Sequence, residues 1–183
     1  MRDDFGVLIL THGRANNVKT VKSLQKAGYT GKWYIVIDDE DDQEDEYRRI
    51  YGERVIQFCK EERARITDVG DTSKERRCII FARNEAFAIA RKLGLRYFIE
   101  LDDDYNNFEY LAETGEKLKH TKIKQIEKVF EAMIAFLDVS NAKSVAMAQG
   151  GDLLGGAKDP RWKEQLLRKA MNSFISVSYT HLT

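Results

Sequence analysis

Three consecutive aspartates, Asp102-Asp103-Asp104, directly follow the hydrophobic run Tyr97 to Leu101. A run of that length reads as a strand, and in open α/β sheets ligands bind beyond the carboxyl ends of the strands. If the chain stays extended, side chains alternate, so Asp102 and Asp104 point to one side and Asp103 to the other. Two carboxylates on one side can hold a hard divalent cation, Mn²⁺ or Mg²⁺, which keeps open positions for phosphate oxygens. Such an ion neutralises charge building on a diphosphate leaving group. The plain alternative is a solvated acidic turn, because acidic triplets are common. Its place at a strand end favours the site.

Arg83 is the second candidate, in Phe81-Ala-Arg-Asn-Glu-Ala86 on a helix that precedes this strand. A guanidinium there can fork onto a phosphate or pair with a nearby carboxylate, and the helix N-terminus favours an anion. The ends of the first two strands supply the rest. Thr11-His12-Gly13-Arg14 and Asp38-Asp39 fall at the same sheet edge. Backbone groups after the first strand could hold a nucleobase, and an aspartate after the second could accept from base or ribose; simple loop and capping polarity competes with that reading. His12 shows no partner in the sequence and is assigned no catalytic role.

The elements that position these residues alternate. Phe5 to Leu10 is an apolar run suited to a buried parallel strand. Asn17 offers an N-cap, and Val18, Val21, Leu24 and Ala27 follow at helical spacing before Gly28. Trp33 to Ile37 reads as the second strand, Gln43 to Tyr51 as a helix, and Arg54 to Cys59 as a third strand. Right-handed crossovers place these strands in one parallel sheet. Lys60 to Arg77 is charged and aperiodic, so a long surface loop is expected. Ile79, Ala82, Ala86, Ile89, Ala90 and Leu93 mark a helix ended by Gly94. Beyond the triplet, Asn107 to Ala112 and Lys117 to Lys119 predict a hairpin. Ile123 to Leu137 predicts an amphipathic helix and Ser144 to Gln149 a strand. Gly150-Gly151 and Gly155-Gly156 bracket a flexible segment before a helix from Arg161 to about Met171 and a strand at Ser173 to Ile175.

Composition narrows the classes. Thirty basic and thirty acidic side chains cancel, so nucleic acid would have to be met by a local patch, not bulk charge. No apolar stretch is long enough to cross a bilayer, and no secretory segment precedes the first strand. Cys59 and Cys78 form no CxxC pair and read as reduced thiols of a cytoplasmic protein. The glycines at 150, 151, 155 and 156 lack a P-loop ending, and no GxGxxG follows the first strand.

The order of these motifs resembles the GT-A glycosyltransferases, and more narrowly the TET-associated glycosyltransferases found largely in phages. The stretches that carry the resemblance are Leu10-Thr-His-Gly-Arg14, Ile37-Asp-Asp39, Ala82-Arg-Asn84, Glu100-Leu-Asp-Asp-Asp104, Ala148-Gln-Gly-Gly151 and Lys169-Ala-Met-Asn-Ser-Phe174. The resemblance implies a GT-A α/β fold with a mostly parallel central sheet flanked by helices. It also implies metal-assisted transfer of a sugar from a nucleotide-diphosphate donor, a uridine derivative, to an acceptor hydroxyl. For the narrower family the implied acceptor is a hydroxymethylated pyrimidine in phage DNA. By position, Asp102 and Asp104 become metal ligands. Thr11, Arg14, Asp38, Arg83 and Asp103 fall on the donor side, and Gln149, Gly150, Gly151 and Asp152 line the donor sugar or acceptor side. No residue before Ser176 is a convincing base for the acceptor hydroxyl.

Two other readings compete. A nucleotidyltransferase of related fold would carry a Gly-rich, basic signature after the first strand, which Thr11-His12-Gly13-Arg14 matches poorly. Against a non-catalytic nucleotide-binding module that keeps the fold stand the intact Asp102 and Asp104, while the neutral net charge is compatible with it. The reading is of one domain over 1–176. Val177-Ser-Tyr-Thr-His-Leu-Thr183 is similar to one reading frame through a transposon adapter, which implies a non-native tail on a C-terminally truncated domain.

Overall fold

The computed structural model describes residues 1–68, 79–115, 117–148, 156–158 and 170–179. Eight strands and five α-helices are defined among them: β1 Phe5–Leu10, α1 Lys19–Lys26, β2 Lys32–Asp38, α2 Glu44–Tyr51, β3 Val55–Phe58, α3 Lys60–Arg65, α4 Ile80–Lys92, β4 Tyr97–Asp102, β5 Glu109–Thr114, β6 Lys117–Lys122, α5 Ile126–Val139, β7 Ser144–Ala148 and β8 Ala170–Val177. Six strands form one sheet in the order β3-β2-β1-β4-β8-β7, and β5-β6 is a separate hairpin. The pairs among β3, β2, β1 and β4 are parallel, while β8 runs antiparallel to both β4 and β7. The central sheet is therefore mostly parallel, with helices on both faces, as expected.

Strand alternation sorts the core into two layers. Phe5, Val7, Ile9, Ile35, Ile37, Ile99 and Leu101 face α1 and α5 through Val21, Leu24, Phe130 and Ile134. Leu8, Leu10, Val36, Phe58 and Phe98 face α4 through Phe81, Ala86, Phe87 and Ala90. The chain leaves β1 for β2 on one side and returns through α4 to β4 on the other. The order therefore reverses between β1 and β4, the place where such sheets hold ligands.

Four local expectations are corrected. Asn17 is not the N-cap of α1: a 3₁₀ turn at Ala15–Asn17 comes first, and Val18 takes the cap position without a side-chain bond. Lys60 to Arg65 is helical instead of loop. Its first amide donates to Asp39 Oδ1 at 2.9 Å, a cap supplied from another strand end. Residues 69–77 of the expected loop lie outside the described residues. Of the helix expected from Arg161, residues 161–169 lie outside them too, and Met171 belongs to β8. Finally, the chain does not stay extended through the triplet: β4 ends at Asp102, and Asp103-Asp104 form a turn.

One glycine matters to the site because it closes α1. Gly28 has φ +80°, and a Cβ there would lie 2.6 Å from the carbonyl oxygen of Lys124. Both the left-handed backbone and the close approach call for glycine. Among the described residues no helix is long and apolar enough to cross a membrane.

Candidate active site

The acidic turn is built from α1 upward. Thr20 and Ser23 are buried polar residues on that helix. Thr20 Oγ1 donates to the carbonyl of Asp102 at 2.6 Å, and its backbone N–H donates to the carbonyl of Asp103 at 3.2 Å. The same hydroxyl accepts from the Tyr105 amide at 3.0 Å, and Ser23 Oγ donates to the Tyr105 carbonyl at 2.7 Å. The backbone of the triplet is thus held on both sides, which leaves its side chains to be set by other partners.

Those partners separate the three aspartates. Asp103 is buried and accepts from Thr11 Oγ1 at 2.6 Å and from Arg14 Nη1 at 2.9 Å. Tyr47, fully buried on α2, completes this arrangement. Its hydroxyl accepts from the Arg14 amide at 2.8 Å and lies 3.0 Å from Thr11 Oγ1. Because Thr11 gives its proton to Asp103, Tyr47 donates to Thr11, and burial raises the tyrosine pKa. Asp102 is half-buried and bonded on both oxygens, by Arg83 Nη2 at 2.7 Å and Asn172 Nδ2 at 3.1 Å. Asp104 is exposed, with no ion pair or hydrogen bond among the described residues.

Arg83, which could have met either a phosphate or a carboxylate, meets carboxylates here. Besides Asp102 it donates through Nη1 to Glu100 Oε2 at 3.1 Å and to the Asn172 carbonyl at 3.0 Å. Glu100 is fully buried in β4. Burial pushes its pKa up to about 8, outweighing the opposing pull of Arg83, whose charge is shared with Asp102.

A cavity of about 440 Å³ adjoins the turn, lined by Thr11, His12, Asp38, Phe58, Lys60, Ile79, Phe81 and Ala82. Its polar end centres on Asp38. One oxygen of that carboxylate accepts from His12 Nδ1 at 3.1 Å and lies 3.4 Å from Lys60 Nζ; the other accepts from the Glu40 amide at 3.1 Å. His12, partnerless to the eye in sequence, is therefore paired with Asp38. Thr11 belongs to both halves, touching Asp103 and lining the cavity.

A family model described as TET-Associated Glycosyltransferase matches residues 5–180. The chain belongs to that family. It is therefore a glycosyltransferase. No curated protein matches it.

In this TET-associated glycosyltransferase the structure brings Thr11, Arg14, Asp38, Arg83, Asp102 and Asp103 to one sheet edge, with Asp104 beside them. Gln149, Gly150, Gly151 and Asp152 lie outside the described residues. Sequence reasoning missed Tyr47, Lys60, Glu100 and Asn172. Glu100 left a signal as a charge interrupting the hydrophobic run Tyr97 to Leu101, and Asn172 lies within the family-like stretch Lys169 to Phe174.

Proposed function

We propose that the chain transfers a glycosyl group from a UDP-sugar to an acceptor hydroxyl, with Mn²⁺ or Mg²⁺ held by Asp102 and Asp104. One observation carries this reading. An acidic turn and a cavity with apolar walls and a polar end share Thr11 at the switch point of the sheet. Phe58 and Phe81 offer flat apolar surface to a base, and Asp38 and Lys60 offer an acceptor and a donor to its edge. Arg83 and Arg14 bring positive charge to the side where a diphosphate would lie.

The donor set suits a hard cation. Asp104 is exposed, and Asp102 presents a carboxylate whose other partners are an arginine and an asparagine. Among the described residues no group of three or more His, Cys, Asp or Glu gathers to hold a metal. Two carboxylates would leave the remaining positions to diphosphate oxygens and water, the usual habit of such ions. When bound, the cation would neutralise charge on the departing diphosphate.

The chain's own residues then orient and exclude. Asp38 and Lys60 fix the base, Thr11 and Arg14 keep Asp103 turned inward, and Arg83 steadies Asp102. In the transfer the bond from the sugar anomeric carbon to the diphosphate oxygen breaks and one to the acceptor oxygen forms, with loss of the hydroxyl proton. The family resemblance supports a hydroxymethylated pyrimidine of DNA as the acceptor, with Gln149 to Asp152 lining the donor sugar or acceptor side.

Titration calorimetry with UDP tests the donor half. Mn²⁺ should tighten binding, and Asp102→Ala combined with Asp104→Ala should abolish the gain. Equal affinity in the presence of a chelator would sink the metal assignment. Incubation with a UDP-sugar and a hydroxymethylpyrimidine acceptor should release UDP, and release of pyrophosphate would instead argue for nucleotidyl transfer.

A further inference from the structure

Glu100 occupies a position that an apolar residue would suit better. It lies in the middle of β4, fully buried, between Ile99 and Leu101. Its Oε1 has no hydrogen-bond partner among the described residues, and a buried polar atom left unbonded costs stability. Its other oxygen, Oε2, accepts from Arg83 Nη1 at 3.1 Å.

That single contact bears on the whole guanidinium. Arg83 Nη1 is shared between Glu100 on β4 and the backbone carbonyl of Asn172 on β8, at 3.1 and 3.0 Å. A guanidinium is planar and rigid, so acceptors on one nitrogen set the plane and the direction of the other. With Nη1 fixed from two strands, Nη2 is aimed at Asp102 Oδ1, 2.7 Å away. The Asn172 side chain closes the far side of the same carboxylate at 3.1 Å. One strand neighbour thus contributes both an acceptor for Arg83 and a donor for Asp102, while Glu100 supplies the acceptor from below.

We propose that Glu100 is a positioning residue of the donor site, holding the Arg83 guanidinium so that Nη2 stays directed at Asp102 and at the anion arriving there. The proposal rests on the reading of the acidic turn as the diphosphate site. What the geometry uses is an acceptor oxygen at a fixed place. Glutamine keeps that oxygen and leucine does not, although leucine fits the apolar surroundings.

The test compares Glu100→Gln with Glu100→Leu in the full chain, by two readouts. Nitrogen-15 spectra of the Arg83 guanidinium, assigned with Arg83→Lys, should show distinct Nη signals in the parent and in Glu100→Gln, and averaged signals in Glu100→Leu. Calorimetry with UDP and Mn²⁺ should show affinity near the parent value for Glu100→Gln and about tenfold weaker for Glu100→Leu, as expected for one hydrogen bond to a charged group. In an Arg83→Gln background Glu100→Leu should cost nothing further. The thermal midpoint of Glu100→Leu should hold or rise, since the orphaned oxygen is gone and Arg83 Nη1 keeps the Asn172 carbonyl, which a purely structural role would not allow alongside weaker binding. Should leucine fail to fold, Glu100→Met, unbranched and of similar reach, replaces it. Parent-like spectra for the apolar variant, or an equal affinity loss in the Arg83→Gln background, would overturn the proposal. A parent chain that binds no Mn²⁺–UDP would sink the donor-site reading instead, and the spectra would then decide the role of Glu100 alone.

Discussion

Asp38 is held by three donors at once, His12 Nδ1, Lys60 Nζ and the Glu40 amide, so its carboxylate is oriented before any ligand arrives. Lys60 is the most consequential of these, because its ammonium is buried beside the cavity and also lies 3.5 Å from Glu40 Oε2. Replacing it with methionine keeps the length of the stem and removes the donor at the base end. Lys60→Met should weaken UDP binding about tenfold, the scale of one charged hydrogen bond, equally with Mn²⁺ and with chelator. Asp104→Ala should weaken it only when Mn²⁺ is present. A Lys60→Met loss confined to the metal-containing titration would remove Lys60 from the base half. Most residues legible in the sequence share a property: Thr11, Arg14, Asp38 and Asp102 lie at or just after strand ends, which can be read from hydrophobic runs, while Arg83 is legible from its place near a helix N-terminus. The illegible ones are defined by partners far along the chain. Lys60 lies 22 positions from Asp38, Tyr47 36 from Thr11, and Asn172 70 from Asp102. Alternation sets Asp103 apart from its two neighbours, as the fold does, but the cause is different: the turn at Asp103 is set by Thr20 and Arg14 and not by strand pleat.

At the scale of elements, α1 is as much a clamp on the acidic turn as a cover for the sheet. Its apolar positions Val21 and Leu24 could be read from helical spacing, whereas that spacing gives no sign that Thr20 and Ser23 are buried. Their burial appears only when β4 is placed beside β1 and the turn descends onto the helix. For the same reason α3 was invisible: all its residues but Ala64 are charged, and its cap comes from Asp39. The clamp is testable. Thr20→Val removes the hydroxyl that donates to the Asp102 carbonyl and accepts from the Tyr105 amide. Two part-buried backbone groups lose their partner, so urea denaturation should show a loss of about 1–3 kcal/mol. Mn²⁺-dependent UDP binding should fall with it, because Asp102 and Asp104 lose a fixed backbone. Ser23→Ala strips one bond from one carbonyl and should cost less on both measures. Unchanged stability in Thr20→Val would mean that the turn stands without the helix.

For the molecule as a whole, the carboxyl groups pull the dependence of stability on pH in opposite directions. Asp4 and Asp138 are held below the usual aspartate range, Asp4 chiefly by the hydrogen bond from Arg2 and Asp138 chiefly by that from the Tyr97 hydroxyl. Glu127 is lowered by the bond it accepts from the Thr30 amide. These groups bind protons more weakly folded than unfolded, so their stabilisation is present above the ordinary carboxylate range and is lost as pH falls through it. Glu100 acts the other way. Its pKa rises on folding from 4.5 to about 8. Between those values the folded chain keeps a proton that the unfolded chain has released, so stability falls as pH rises through that window and levels off above it. The two trends cross near the lower end of the window, and the thermal midpoint should peak at about pH 5 and decline toward about pH 8. Glu100→Gln has no proton to lose and should flatten the alkaline limb while leaving the acid limb intact. Circular dichroism melts of the two chains across this range give the comparison directly. An alkaline limb as steep in Glu100→Gln as in the parent would show that Glu100 is ionised in the fold, and would place the source of the decline elsewhere.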